Sequence, residues 1–137
     1  MSEKQKLLIV DDSELNRDIL KEILGSRHDY MEAENGTQAI QILEVHPEID
    51  LMLLDINMPQ MNGFQVLEHM REFQWIDEVP VVMISSEESV EIMRKAYDLG
   101  ITDYISRPFD AVIVKKRVQN TLELYANQKR LINVVVD

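Results

Sequence analysis

Short aliphatic runs separated by helical periods constrain this chain more than any other feature. Five runs stand at "LLIV" (residues 7–10), "YMEA" (30–33), "IDLMLL" (49–54), "VPVVMI" (79–84) and "DYIS" (103–106). Between them, apolar residues recur at helical spacing. Leu15, Ile19, Leu20, Ile23 and Leu24 form a stripe that Ser13 can cap and Gly25 can close. Ala39, Ile40 and Leu43 follow the "ENGT" turn and stop before Pro47. Val66, Leu67, Met70 and Phe73 follow Gly63, and Val90, Met93, Ala96 and Tyr97 run up to Gly100. Strands alternating with helices of this length predict βα repeats, hence an α/β fold with a parallel sheet covered on both faces. The nearly all-apolar runs at 7–10, 49–54 and 79–84 suit central strands, and the more polar 30–33 and 103–106 suit edges. The pattern holds five βα units, with no linker or low-complexity segment inside residues 1–120.

With 137 residues the chain suits one domain with a sizeable core. Its net charge of −11 argues against direct binding to nucleic acid or an anionic membrane, since no basic excess remains to neutralise phosphates. The absence of cysteine excludes disulfides, thiolate metal sites and cysteine nucleophiles. No apolar run reaches the length of a signal core or a membrane span, and residues 1–6, "MSEKQK", are polar, so a soluble cytoplasmic protein is the expectation. The last stretch has no turn signal. Ala111, Val114, Val118, Thr121, Tyr125, Gln128, Ile132 and Val135 make a heptad-like stripe that runs beyond where the domain should stop. The expectation is therefore a domain over residues 1–125 and a helical extension over 126–137, which can be a partner surface, the beginning of a helix leading towards an output domain, or a frayed tail.

Function in a parallel α/β sheet gathers where the strands' C-terminal ends open into loops. The first strand ends in Asp11 and Asp12, the third in Asp55, the fourth in Ser85 and Ser86, the fifth in Arg107 and Pro108. If these strands are neighbours, three carboxylates, a hydroxyl and a cation converge. A like-charge pair at about 4 Å costs about 4 kcal/mol at an effective dielectric near 20, so such a cluster needs a shared proton or a bound cation. An all-oxygen set without His or Cys selects a hard ion, and Mg²⁺ fits best. A metal would make Asp55 a usable nucleophile toward a phosphoryl group, with Ser85 and Arg107 able to contact its oxygens. Taken singly, each residue has a plainer role. Asp11 and Asp12 can favour a helix dipole, and Asp55 can cap a turn before "NMP".

The pieces "LLIVDDS", "LLDINMPQMNGFQVL", "PVVMISS" and "DYISRPF", in that order, resemble the receiver domain of two-component response regulators (CheY-like). Asp55 lies 30 residues before Ser85 and 52 before Arg107, spacings typical of that family, and the resemblance covers roughly residues 5–125. It implies a flavodoxin-like (βα)5 fold with strand order 2-1-3-4-5. It implies that Asp55 is a phosphoacceptor, receiving its phosphoryl group from a sensor histidine kinase or phosphotransfer protein. It also implies that Asp11, Asp12, Asp55 and the backbone carbonyl of Asn57 bind Mg²⁺ (or Mn²⁺). Ser85 stands at the switch-hydroxyl position and Tyr104 at the aromatic switch position. Asn57 and Glu87 stand where the family tunes the phosphoryl group's lifetime, and Pro108 would follow a cis peptide. A homodimer through helices 4 and 5 is the family expectation. The chain departs from the family in carrying Arg107 where Lys is usual, and Arg is not a conservative replacement at a shaped site.

Three readings follow from these residues. The first is a phosphorylation-dependent switch, not an enzyme beyond its own phosphorylation and dephosphorylation. The second is a pseudo-receiver binding module, for which Arg107 is the only support. The third is a haloacid dehalogenase-like phosphohydrolase, which needs a general-acid Asp where this chain has Asn57. His28, His46 and His69 show no ligand spacing, Met58, Met61 and Trp75 read as packing residues, and no G-x-G-x-x-G or P-loop is present. The style of the last helix resembles that of receivers fused to cyclic-dinucleotide enzymes or similar outputs.

Overall fold

In the computed structural model, which describes residues 4–86 and 89–136, strands and α-helices alternate along the chain. They are β1 (Gln5–Val10), α1 (Glu14–Leu24), β2 (His28–Ala33), α2 (Gly36–Val45), β3 (Leu51–Asp55), α3 (Gly63–Glu72), β4 (Val81–Ser85), α4 (Val90–Asp98), β5 (Asp103–Ser106) and α5 (Ala111–Val136). The strands form one parallel sheet in the order β2-β1-β3-β4-β5. This is the flavodoxin-like α/β fold. The polar strands β2 and β5 occupy the edges, as their composition predicts.

Because successive side chains of a strand point to opposite faces, each central strand feeds two apolar layers. Leu7, Ile9, Leu51, Leu53, Val82 and Ile84 pack under α1 and α5, against Leu20, Leu24, Val114, Val118 and Leu122. Leu8, Val10, Met52, Leu54, Val81 and Met83 pack on the other face, against Ala39 and Leu43 of α2, Val66, Leu67 and Met70 of α3, and Ala96 of α4. An all-apolar strand is thus the mark of a sheet covered twice. Met58, Met61 and Trp75 are partly buried against the second layer, in the packing role expected of them.

Several boundaries differ from the sequence expectation. Ile49 and Val79 are buried but precede their strands, because an apolar run reports burial rather than ladder pairing. Pro80 has no N–H to give a ladder, and the side chain of Asp50 accepts the Lys6 amide at 2.8 Å at the sheet's lower edge. At the other end the ladders run one residue beyond the apolar runs, pairing Asp55 with Ile84 and Ser85 with Ser106.

Helix ends follow local chemistry. Ser13 accepts a hydrogen bond from the Asn16 amide at 3.2 Å and caps α1, and Gly25 ends it with φ +79°. The stripes are less faithful. Leu15 is 68% exposed, as are Phe73 at 54% and Val90 at 62%, and Ala111 is exposed too. In α1 the buried residues are Arg17, Leu20 and Leu24. In α5, Val114, Val118 and Thr121 are buried as the stripe predicts, and Leu122 joins them. α5 continues as one helix across residue 126 to Val136. Of the extension's stripe, the side chains of Gln128, Ile132 and Val135 lie outside the described residues, as do Glu87 and Glu88. Among the described residues, no helix is long and apolar enough to cross a membrane.

Candidate functional site

The strand order places the ends of β1, β3, β4 and β5 side by side, and the loops after them build one rim. Asp11 follows the last residue of β1 and is fully buried. Its amide donates to the Ala33 carbonyl of β2 at 3.1 Å, and its Oδ1 accepts from the Ser13 amide at 2.9 Å. Asp12, next to it, is exposed. Asp55 ends β3 with 1% exposure, and its Oδ1 accepts the Asn57 amide at 3.3 Å. One carboxylate oxygen from each of Asp11, Asp12 and Asp55 lies within 4.8 Å of the others. Among the described residues this is the one group able to hold a metal ion. The histidines take no part in it.

The loop after β3 is tied down closely. Ile56 donates to the Ile84 carbonyl at 3.2 Å, and its own carbonyl accepts from the Gly63 amide at 2.9 Å. Asn62 caps α3 in a reciprocal pair with Gln65. The start of α3 comes so near the end of β3 that a Cβ on Gly63 would lie 2.6 Å from the Asp55 carbonyl oxygen. Only glycine fits there.

Arg107 enters from the far side across a cis peptide to Pro108, as expected. Its amide donates to the Ser85 carbonyl at 3.0 Å. Its Nη2 donates to Asp11 Oδ2 and stands 3.3 Å from Asp55 Oδ2. Arg107 therefore reaches Asp55. Yet Asp55 Oδ2 and Arg107 Nε, both buried, make no hydrogen bond. Burial pushes the Asp55 carboxyl up to about 6, with Arg107 and the Asn57 amide pulling down and Asp11 pushing further up. Burial also raises Asp11, opposed by the Ser13 amide and Arg107 and reinforced by Asp12. Three oxygen donors, two of them on carboxyls unfavourably charged as they stand, and one buried oxygen without a hydrogen bond fit a hard divalent cation.

Ser85 closes β4 with 3% exposure, beside this cluster. Behind it a narrow apolar cavity is lined by Ile56, Met83, Ile92, Ala96, Ile101 and Tyr104 among others. Tyr104 is half-buried. Its hydroxyl accepts a hydrogen bond from Ser106 at 3.1 Å, its carbonyl accepts from Arg117, and the Arg117 guanidinium lies 5.6 Å from its ring centroid.

Asp11, Asp12, Asp55 and Arg107 are thus brought together, with Ser85 adjoining and Tyr104 one strand away. The Asn57 amide, rather than any side-chain contact, ties that residue to the cluster. Sequence reasoning missed Arg17, which is buried on α1 and donates through Nη1 to the Asp11 carbonyl at 2.7 Å. The signal was available, since positions 17, 20 and 24 share the core-facing side of α1.

A parallel α/β domain with an acidic, cation-ready cluster at its strand ends is the class that this fold and site define. The chain belongs to the response regulator receiver domain family, whose model matches residues 7–119. It is a CheY-like domain of two-component signalling. It is 33% identical over 119 residues to chemotaxis protein CheY1 of Helicobacter pylori, covering 85% of this chain and 96% of that one. It is 32% identical to a Vibrio cholerae protein named "probable cyclic di-GMP phosphodiesterase", covering 93% of this chain but 29% of that one. The solved structure of V. cholerae chemotaxis protein CheY4 superposes with a TM-score of 0.79 at 26% identity, covering 87% of this chain and 99% of that one.

Proposed function

We propose that this chain is a phosphorylation-dependent switch with Asp55 as its phosphoacceptor. The observation that carries the reading is Asp55 Oδ2, buried among Asp11, Asp12 and Arg107 without a hydrogen bond. A histidine kinase or phosphotransfer protein is the donor. A bond forms between an Asp55 carboxylate oxygen and phosphorus as the donor's N–P bond breaks, and the released imidazole takes up a proton. Asp11, Asp12, Asp55 and the Asn57 carbonyl would hold Mg²⁺, or Mn²⁺, which would supply positive charge to the transferring oxygens.

The chain's other residues act on the phosphoryl group once it is in place. Arg107 offers it the Nε and Nη2 edge of its fork, a two-donor geometry that Lys lacks. Ser85 donates its hydroxyl to another oxygen, and Tyr104 turns into the cavity behind it, carrying the state to α4 and α5. Asn57 and Glu87 set how long the acyl phosphate lasts. The chain catalyses only its own phosphorylation and dephosphorylation, works in the cytoplasm and binds no nucleic acid. Val90 and Tyr97 of α4 and Ile113 of α5 are exposed apolar residues that support a homodimer through those helices.

A pseudo-receiver is the second reading, favoured by one observation: Arg107 Nη2 already spans Asp11 and Asp55. Beryllofluoride with Mg²⁺ separates the two. The switch predicts a fluorine NMR signal from bound beryllofluoride in the wild type and none in Asp55→Asn. Its absence from the wild type would leave the pseudo-receiver. Light scattering with and without the mimic tests the dimer, and a monomer in both states would rule it out.

A further inference from the structure

Arg17 is a buried cation that the switch described above does not use. It sits on α1, 7% exposed, six residues beyond Asp11. Its Nε donates to Glu32 Oε1 of β2 at 2.9 Å, and its Nη1 donates to the Asp11 carbonyl at 2.7 Å. Lys21 binds the other Glu32 oxygen at 2.9 Å, so Glu32 is itself held in place.

An ion pair that merely fastened α1 to β2 would need only Glu32. Here the guanidinium also grips the peptide between Asp11 and Asp12. The Asp11 amide is already fixed on Ala33, and its Oδ1 on the Ser13 amide. With its carbonyl gripped as well, Asp11 is held at every other polar group while its Oδ2, which accepts from Arg107 Nη2 beside Asp55, faces the cluster. The same peptide carries the Asp12 Cα, so the grip also fixes the point from which the Asp12 side chain starts. Mg²⁺ demands near-ideal octahedral geometry, so the angle between two neighbouring acids bears directly on its affinity. Partners that orient ligands commonly change metal affinity about 10- to 100-fold when removed.

We propose that Arg17 is a positioning residue that fixes the Asp11–Asp12 peptide for Mg²⁺ binding. The inference rests on the proposed metal site, but its readout is Mg²⁺ binding alone, without phosphorylation.

The test is calorimetric titration of Mg²⁺ into wild type, Arg17→Met, Arg17→Lys and Leu24→Ala. Leu24→Ala serves as the stability control, since Leu24 is a core residue at the far end of the same helix. Arg17→Met is expected to weaken Mg²⁺ binding about fivefold or more, with Leu24→Ala staying within about twofold of wild type even where its melting temperature falls further. Arg17→Lys keeps the charge but cannot span both acceptors, and a loss of about threefold or more is expected; it carries the test if Arg17→Met does not fold. Arg17 variants within about twofold of wild type would overturn the positioning role, as would an equal loss in Leu24→Ala. A wild type that binds no Mg²⁺ would instead overturn the functional reading, and this role with it.

Discussion

Asp55→Asn should make the metal-free protein more stable at neutral pH. Burial raises the Asp55 pKa from 3.8 to about 6, which means that the folded chain disfavours the ionised carboxylate. A carboxyl shifted upward contributes most to stability below its unfolded pKa, and that contribution is lost as pH rises through the folded value. About two units at about 1.4 kcal/mol each set a ceiling near 3 kcal/mol. Asp11 shares part of this repulsion and a buried amide costs something, so a gain of about 1–3 kcal/mol is expected above pH 6.5. For a domain of this size that raises Tm by about 3–9 °C. Arg107 keeps a partner in the variant, because its Nη2 also donates to Asp11. Urea unfolding in EDTA from pH 4 to pH 8 is the assay. The gain should shrink toward about pH 4, where unfolded Asp is itself half protonated. Adding Mg²⁺ should stabilise the wild type preferentially and narrow the gap. A variant no more stable at pH 7.5, or a gain independent of pH, would refute the reasoning.

Other expectations follow from single contacts. Gly63→Ala should cost about 1–3 kcal/mol and weaken Mg²⁺ binding, since its Cβ would press on the Asp55 carbonyl; chemical denaturation and Mg²⁺ titration check both. Ser13→Ala removes the α1 cap and should cost about 1 kcal/mol by the same melts. Leu53→Ala leaves a cavity in a fully buried strand and should cost about 2–5 kcal/mol.

How far the chain could be read in advance depended on how local each cause was. The central strands were legible because a sheet covered on both faces leaves no position for a polar residue. The caps at Ser13 and Gly25 were legible because their partners lie within four residues. Strand starts were not, since Ile49 and Val79 are apolar for burial rather than for pairing. Leu15 misled the stripe of α1, while Arg17 hid on its buried side as a charged residue. The convergence of Asp11, Asp12 and Asp55 followed from strand order once a parallel sheet was assumed. The Arg17–Glu32 pair and the Arg107–Asp11 contact span 15 and 96 residues, and no local pattern announces them.

The central claim is that Asp55 accepts a phosphoryl group in a metal-dependent reaction. Mass spectrometry after incubation with acetyl phosphate and Mg²⁺ tests it most directly. One hydroxylamine-labile phosphoryl group on the peptide containing Asp55, lost in EDTA and absent from Asp55→Asn, is the predicted result. An unmodified wild type, or an adduct that persists in Asp55→Asn, would contradict it.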